Sequence, residues 1–171
     1  MGKIELDGVN FEFRTSYFYQ LRFMAKHPCM VPVSICIWNP KWYSGISYRA
    51  LVPKSYDAES DCESCVKIHG DDPMYDGGLK CGYLEQYRKQ LGRFNVKRTL
   101  EDVAKVVAAN VDINAISEVR NGQKWITVVF VGYEVPAKRC SERFALAAWI
   151  NESMGQNGDI PFCVELKYPL Q

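Results

Sequence analysis

The clearest pattern in the chain is a set of short apolar runs, separated by segments with helical spacing. The run from Trp125 to Gly132 is β-branched, aromatic and almost unbroken, so we expect it to form a central strand. The run from Val31 to Trp38 has the same character, and the run from Val9 to Phe13 alternates as a half-buried strand does. Residues 161 to 168 alternate as well and predict a final edge strand.

Helical spacing fills the intervals between these runs, over about Tyr17–Lys26, Tyr83–Leu91, Leu100–Asn110 and Ser141–Met154. Strands that alternate with helices predict an α/β class: one layered domain over residues 1–171 with a largely parallel, Rossmann-like central sheet. Residues 54–82 interrupt this pattern with prolines, glycines and an acidic cluster. They predict an irregular insertion that contains cysteines.

Three of the predicted strands end in segments with unusual chemistry. Ligands of open α/β sheets bind beyond the carboxyl ends of the strands, so we expect these segments to meet at one rim. Aromatic rings there can stack a base or sugar, and basic groups can hold an anion. Plain packing is the alternative role for the aromatic residues. The expected ligand-binding residues are Thr15, Ser16, Tyr17, Trp38, Lys41, Trp42, Tyr133, Arg139, Ser141 and Arg143.

The segment from Tyr133 to Arg143 is the most informative of the three, because it combines a strand end, a loop and a helix start. A helix N-terminus with nearby arginines favours an anion, and it favours the thiolate of Cys140. Glu134 and Glu142 are candidate acid or base groups, so the predicted catalytic residues are Glu134, Cys140 and Glu142. The alternatives are that Ser141 only caps the helix, Arg143 only pairs with Glu142, and Cys140 only lines the site.

Charge and composition exclude some classes of function. The chain has 171 residues, with 21 Lys+Arg against 20 Asp+Glu, for a net charge of +1. A protein that grips duplex DNA usually carries a strong basic excess, so a nucleic-acid partner is not expected. No secretory signal and no membrane-spanning run is visible, which favours a cytoplasmic protein that has no membrane partner.

The seven cysteines are an odd number, which disfavours a closed disulfide framework. Cys62, Cys65, His69 and Cys81 have the residue types and part of the spacing of a tetrahedral zinc site. They predict a structural Zn²⁺ that would order the acidic insertion. Reduced thiols without metal, or a disulfide or redox pair, are the alternatives. The chain contains two histidines, neither on the predicted rim, so a Ser-His-Asp triad is not expected.

Several short runs together resemble the family catalogued as domain of unknown function 488. The resemblance implies a compact, cytoplasmic α/β domain. It also implies a Cys-His-Arg signature, in which Cys140 matches the Cys while Ser141 and Glu142 replace the His and Arg. Chemistry that needs that imidazole is therefore not expected here. The runs are residues 15–18, 31–35, 40–43, Tyr48, 51–53, 132–136, Cys140 and 148–149.

These observations favour a small-molecule enzyme that binds a nucleotide or another phosphorylated ligand at the rim and carries out hydrolysis or group transfer. A non-catalytic ligand-binding or protein-interaction module is the first alternative. A zinc-ordered nucleic-acid-binding module is the second. The sequence names no substrate and gives no signal for an oligomeric state.

Overall fold

The computed structural model describes residues 2–54, 82–132, 141–155 and 161–167. Within these ranges the strands form one seven-stranded sheet. The strands are β1 (Ile4–Leu6), β2 (Val9–Tyr17), β3 (Met30–Ser34), β4 (Ile46–Ser47), β5 (Glu118–Arg120), β6 (Gln123–Gly132) and β7 (Cys163–Glu165).

Five α-helices accompany the sheet in the same ranges. They are α1 (Leu21–Met24), α2 (Gly82–Leu91), α3 (Val96–Asn110), α4 (Ile113–Ile116) and α5 (Glu142–Met154). Two short 3₁₀ turns lie at Phe18–Gln20 and Arg49–Leu51. The predicted helix over about Tyr17–Lys26 is shorter in the structure, because β2 extends to Tyr17 and the helical residues that follow are the 3₁₀ turn and the four residues of α1.

Strand β6 is central, as its apolar run predicted. The order is β1-β2-β6-β3-β4, and β6 is parallel to both β2 and β3. Strand β5 joins β6 as an antiparallel hairpin, and β4 is parallel to β3. Two strands pair with successive stretches of the β2 edge that does not face β6. Strand β1 pairs with Val9–Phe11 in an antiparallel hairpin, and β7 pairs in parallel with Phe13–Thr15.

The two hairpins are set by local turn chemistry. Asp7-Gly8 joins β1 to β2, and Asn121-Gly122 joins β5 to β6; all four residues have positive φ, between 50° and 79°. A two-residue hairpin turn of this type requires positive φ at both central positions, which Asn-Gly and Asp-Gly tolerate best. These turns introduce antiparallel pairs into the sheet.

The predicted largely parallel, Rossmann-like layered sheet is wrong. The sheet is mixed and curls into a half-barrel. A Rossmann-like fold covers both sheet faces with helices, whereas α2, α3 and α5 all contribute to one core on one face. The connection from β3 to its parallel neighbour β4 contains no helix. The observed sheet thus differs from the predicted one for two reasons: the hairpin turns add antiparallel pairs, and the long helices cover one face only.

Two apolar clusters lie on opposite faces of the sheet. The larger one joins Phe11 and Phe13 of β2 and Phe130 of β6 to the long helices. The smaller one joins Val129 and Val131 of β6 to the segment around α1. Since side chains alternate between faces along a strand, β6 supplies both clusters and is buried on both sides. No helix among the described residues is long and apolar enough to cross a membrane.

Candidate functional site

The carboxyl ends of β2, β3 and β6 lie together at one edge of the sheet. The pairing register places Tyr17 opposite Gly132 and Ser34 opposite Val131. Helix α5 begins beside this edge, and its first residues are buried. We call the region the rim and define it by residues 15–17, Ser34, Gly132, 141–143 and Glu165.

Arg143 is the largest fully buried side chain of the rim, with 0% of its side chain exposed. Its Nε donates to both carboxylate oxygens of Glu165, at 3.1 and 3.0 Å, and its Nη1 donates to Ser141 Oγ at 2.9 Å. The guanidinium also lies over the ring of Tyr17, at 5.2 Å, and over that of Phe144, at 4.4 Å. Its charge partner among the described residues is thus Glu165, rather than the adjacent Glu142.

Glu165 is a functional candidate that the sequence interpretation missed. Burial raises the pKa of its carboxyl above the usual value, although the charge and hydrogen bond of Arg143 oppose that rise. Thr15 lies opposite Glu165 in the β2–β7 pairing. A carboxyl with a raised pKa in a polar cluster is a candidate acid or base. The only sequence signal was the alternation over residues 161–168, which gives no partner.

The first residues of α5 are arranged for more than helix capping. Ser141 occupies the N-cap position, but its side chain makes no capping hydrogen bond and instead accepts one from Arg143. Glu142 is 5% exposed and accepts a hydrogen bond from Cys36 Sγ at 3.4 Å. Gly132 is required beside them, since a Cβ at that position would lie 2.8 Å from Ser141 Oγ.

Two further polar groups at the rim hold the segments that follow the strands. The Ser16 hydroxyl accepts a hydrogen bond from Gln20 Nε2 at 3.0 Å, and both side chains are buried. The Ser34 hydroxyl accepts from the Cys36 amide at 3.2 Å and donates to Asn39 Oδ1. Ser34 and Gln20 were not among the predicted site residues, because the partners they bind are set by the turns after β2 and β3.

The loop after β3 carries two exposed tryptophans. The predicted strand through Trp38 is wrong, since β3 ends at Ser34, and Trp38 is 82% exposed. Trp42 is 63% exposed and touches the ring of Phe18 edge to face at 6.0 Å, while Lys41 is exposed beside it. Both indoles therefore present most of their surface to solvent near the rim.

Glu12 is another buried carboxylate, and it lies on the face of β2 opposite to Thr15. Glu12 Oε1 accepts hydrogen bonds from Arg120 Nη2 at 2.8 Å and from Thr127 Oγ1 at 2.7 Å. Arg14 lies 3.4 Å from its other oxygen. Burial opposes ionisation, but these hydrogen bonds and positive charges outweigh it and lower the pKa of Glu12. The residue is satisfied by its partners and serves as an internal anion.

Part of the predicted site lies outside the described residues. These predicted residues are Tyr133, Glu134, Arg139 and Cys140 of the rim, and Cys62, Cys65, His69 and Cys81 of the zinc site. Within the ranges that the structure describes, no group of three or more His, Cys, Asp or Glu side chains could hold a metal ion. The structural zinc stays a prediction, which metal analysis of protein purified without chelator would test.

The chain has no detectable relative in the comparisons with known proteins. No protein family, no curated protein and no solved structure matches it. The resemblance to the family of unknown function 488 therefore stays a prediction.

Proposed function

We propose that this chain binds an anionic small molecule, a nucleotide or another phosphorylated compound, at the rim and processes it by hydrolysis or group transfer. The observation that supports the proposal is the convergence of buried polar side chains where three adjacent parallel strands end. Buried polar groups are costly, and open sheets bind ligands at this edge. The buried side chains are Thr15, Ser16, Ser34, Ser141, Glu142 and Arg143, and the half-buried Glu165 lies beside them.

The surroundings of the rim suit both the ring and the phosphate of such a ligand. Trp38 and Trp42 offer exposed indole faces on which a base or sugar ring would stack. Lys41 lies between them in the chain and supplies a positive charge toward a phosphate. Arg143 is held by Glu165, so its part is to keep the carboxyl in place and to add positive potential.

The chemistry would use the carboxyls of the rim. Glu165 has a pKa raised by burial, which makes its carboxyl a better proton acceptor than an exposed one. Glu142 is the second carboxyl and lies at the start of α5. In hydrolysis, one of them would accept a proton from the attacking water, and the leaving phosphate oxygen would take a proton from the other or from solvent.

A thermal-shift screen with ATP, GTP, AMP and pyrophosphate tests the binding step. We expect at least one compound to raise the melting temperature, and Trp38→Ala and Lys41→Ala to weaken that shift. Phe94→Ala and Lys54→Ala are matched controls, because Phe94 and Lys54 are exposed in other parts of the fold. The proposal fails if no anionic compound stabilises the protein.

Phosphate release, measured with each compound that binds, tests the reaction step. We expect turnover by the natural sequence and a loss of at least tenfold in Glu165→Gln, measured where that variant is still folded. Tight binding without turnover would contradict the enzymatic part and leave a ligand-binding module.

A protein-interaction module is the second candidate, because one loop exposes three large apolar side chains: Ile37, Trp38 and Trp42, at 45%, 82% and 63%. Apolar surface gathered in one place marks interaction sites. Absence of any small-molecule shift, together with a protein partner that Trp38→Ala and Trp42→Ala no longer bind, would favour this candidate.

A further inference from the structure

The loop over residues 37–42, between β3 and β4, displays apolar side chains to solvent. Six large apolar side chains are exposed within the described ranges, and three of them, Ile37, Trp38 and Trp42, lie in this loop. Exposed apolar side chains scattered singly are ordinary, whereas several in one place mark a surface that contacts another molecule.

Hydrogen bonds to the flanking strands fix the loop in this orientation. The Asn39 side chain accepts a hydrogen bond from the Ser34 hydroxyl at the end of β3 and donates to Ser47 Oγ of β4 at 2.9 Å. The Tyr43 hydroxyl donates to the carbonyl oxygen of Ile46 at 2.5 Å. The polar side chains of this segment are thus bonded to the strands, and the apolar side chains face solvent in a fixed arrangement.

A second exposed aromatic group adjoins the loop, on the 3₁₀ turn and α1. The buried ring of Phe18 connects the two, because it contacts the Trp42 ring edge to face. The next residue, Tyr19, is 48% exposed, and its ring lies 6.4 Å from that of Phe23. The guanidinium of Arg22 lies over both rings, 4.1 and 4.7 Å from their centres. A cation is therefore held within the exposed aromatic group.

This part of the chain has basic residues without acidic ones. No Asp or Glu occurs from residue 13 to residue 54, although the whole chain has a net charge of only +1. Arg22 and Lys41 adjoin the exposed rings, and neither forms an ion pair with any residue that the structure describes. The partner that complements this surface is both apolar and anionic. The exposed cations of the stretch are Arg22, Lys26, Lys41, Arg49 and Lys54.

We propose that this surface, the loop over residues 37–42 with Tyr19, Arg22 and Phe23, attaches the protein to an anionic phospholipid bilayer. Indole rings favour the boundary between headgroups and acyl chains, because the ring is apolar while its N–H stays hydrated. Lys and Arg extend their charged ends to the lipid phosphates at the same depth. Attachment of this kind needs no membrane-spanning run, and the lack of such a run is the reason why the sequence predicts no membrane partner.

Two other partners fit this surface less well. A single nucleic-acid strand would stack its bases on the aromatic rings, but the aliphatic Ile37 offers no face for stacking. An acidic protein would have to supply a pocket for each protruding side chain, whereas a bilayer accepts them in any arrangement. The inference goes beyond the proposed function, since it gives the loop a second use: a ligand ring and a bilayer cannot cover the same indole faces at once.

Co-sedimentation of the full chain with vesicles tests the proposal. The vesicles are phosphatidylcholine, with or without one third phosphatidylserine. No soluble phosphate compound is present, so the outcome is separate from that of the thermal-shift screen. We expect at least fivefold tighter binding to the anionic vesicles. Arg22→Ala and Lys41→Ala are each expected to weaken it about fivefold, which corresponds to about 1 kcal/mol for one cation near an anionic surface.

Matched variants separate the apolar contribution from the charge. Trp38→Ala is expected to weaken binding to the anionic vesicles at least fivefold, because the indole no longer enters the bilayer. Phe94→Ala and Lys105→Ala are the controls, since both residues are exposed in another part of the fold, and each is expected to change binding less than twofold. Circular dichroism of each variant checks that it is folded, which these exposed positions favour.

Fluorescence quenching by lipids brominated on the upper part of the acyl chain reports whether the indoles enter the bilayer. We expect quenching in the natural sequence and little of it in the double variant Trp38→Ala, Trp42→Ala, which keeps Trp125 and Trp149. No preference for anionic vesicles, equal losses in Lys41→Ala and Lys105→Ala, or binding without quenching would each overturn the proposal. Tighter, Trp38-dependent binding of single-stranded DNA would also overturn it and assign the surface to nucleic acid.

Discussion

The buried ion pair between Arg143 and Glu165 makes an asymmetric prediction about its two halves. In Glu165→Gln, a guanidinium that is fully buried loses its carboxylate, and an arginine cannot shed its charge. In Arg143→Met, the remaining carboxyl keeps 24% of its side chain exposed and can take up a proton. Glu165→Gln is therefore expected to lower the free energy of unfolding more than Arg143→Met does.

The magnitudes follow from the exposure of each partner. Breaking a buried pair costs about 3–5 kcal/mol, and Glu165→Gln is expected in that range at pH 8, while the loss is expected to shrink at lower pH, where the Glu165 carboxyl of the natural sequence takes up a proton and becomes neutral like the amide. Arg143→Met is expected to cost about 2–3 kcal/mol at pH 8, because the exposed fraction of Glu165 reduces the penalty.

The pH dependence of Arg143→Met follows from the raised pKa of Glu165. A carboxyl with a folded-state pKa above the unfolded value favours the fold fully when the pH is below the unfolded value. That contribution disappears as the pH rises through the folded-state pKa. Without Arg143 the pKa rises further, so the destabilisation of Arg143→Met is expected to be smaller at pH 5 than at pH 8.

Urea unfolding at pH 5 and pH 8 measures these differences for the natural sequence, both single variants and the double variant. The double variant is expected to be more stable than Glu165→Gln alone, since it leaves no buried guanidinium deprived of the Glu165 carboxylate. Equal losses for Arg143→Met at both pH values would refute the account of Glu165. A larger loss in Arg143→Met than in Glu165→Gln at pH 8 would refute the asymmetry.

Three other features of the fold give further predictions. Gly132→Ala is expected to lose about 1–3 kcal/mol in urea unfolding, because its Cβ would meet Ser141 Oγ at 2.8 Å; Gly92→Ala, with 3.4 Å to its nearest neighbour, is the control and should lose clearly less. Glu12→Gln is expected to lower the melting temperature at pH 7, and this loss is expected to shrink as the pH falls through the lowered folded-state pKa, since the carboxyl stabilises the fold only while it is ionised; an equal loss at pH 7 and at a pH where the carboxyl is protonated would contradict this. Burial raises the pKa of the Cys163 thiol to about 12, so we expect this thiol to resist iodoacetamide at pH 8 until urea unfolds the protein. Peptide mass spectrometry measures the alkylation, and alkylated Cys163 in the native protein would contradict the prediction.

Local patterns in the sequence predicted those elements that are decided locally. The Asp-Gly and Asn-Gly pairs at residues 7–8 and 121–122 are the residues that best tolerate positive φ, and the structure has a hairpin turn at each. The unbroken apolar run after Trp125 predicted a central strand, and β6 is one. Neither signal revealed that the hairpins would make the sheet mixed, because strand direction depends on partners distant in the chain.

The candidate site likewise combines features that local sequence predicts with features that depend on residues distant in the chain. The ends of β2, β3 and β6 were expected at one edge, and the pairing places them there. The partner of Arg143 was not foreseen, since Glu165 lies 22 residues away and belongs to a three-residue strand with little signal of its own. The exposure of Trp38 was missed because an apolar run does not show where its strand stops.

The way β1 and β7 divide one edge of β2 has a consequence for synthesis on the ribosome. Strand β1 emerges immediately before β2 and can cover Val9–Phe11 at once. The stretch from Phe13 to Thr15 must wait for β7, about 150 residues later. Until then that stretch presents unpaired backbone groups to any neighbouring nascent chain. The Arg143–Glu165 ion pair links β7 to α5. It therefore stabilises the strand whose pairing ends the period in which the nascent chain is prone to aggregation.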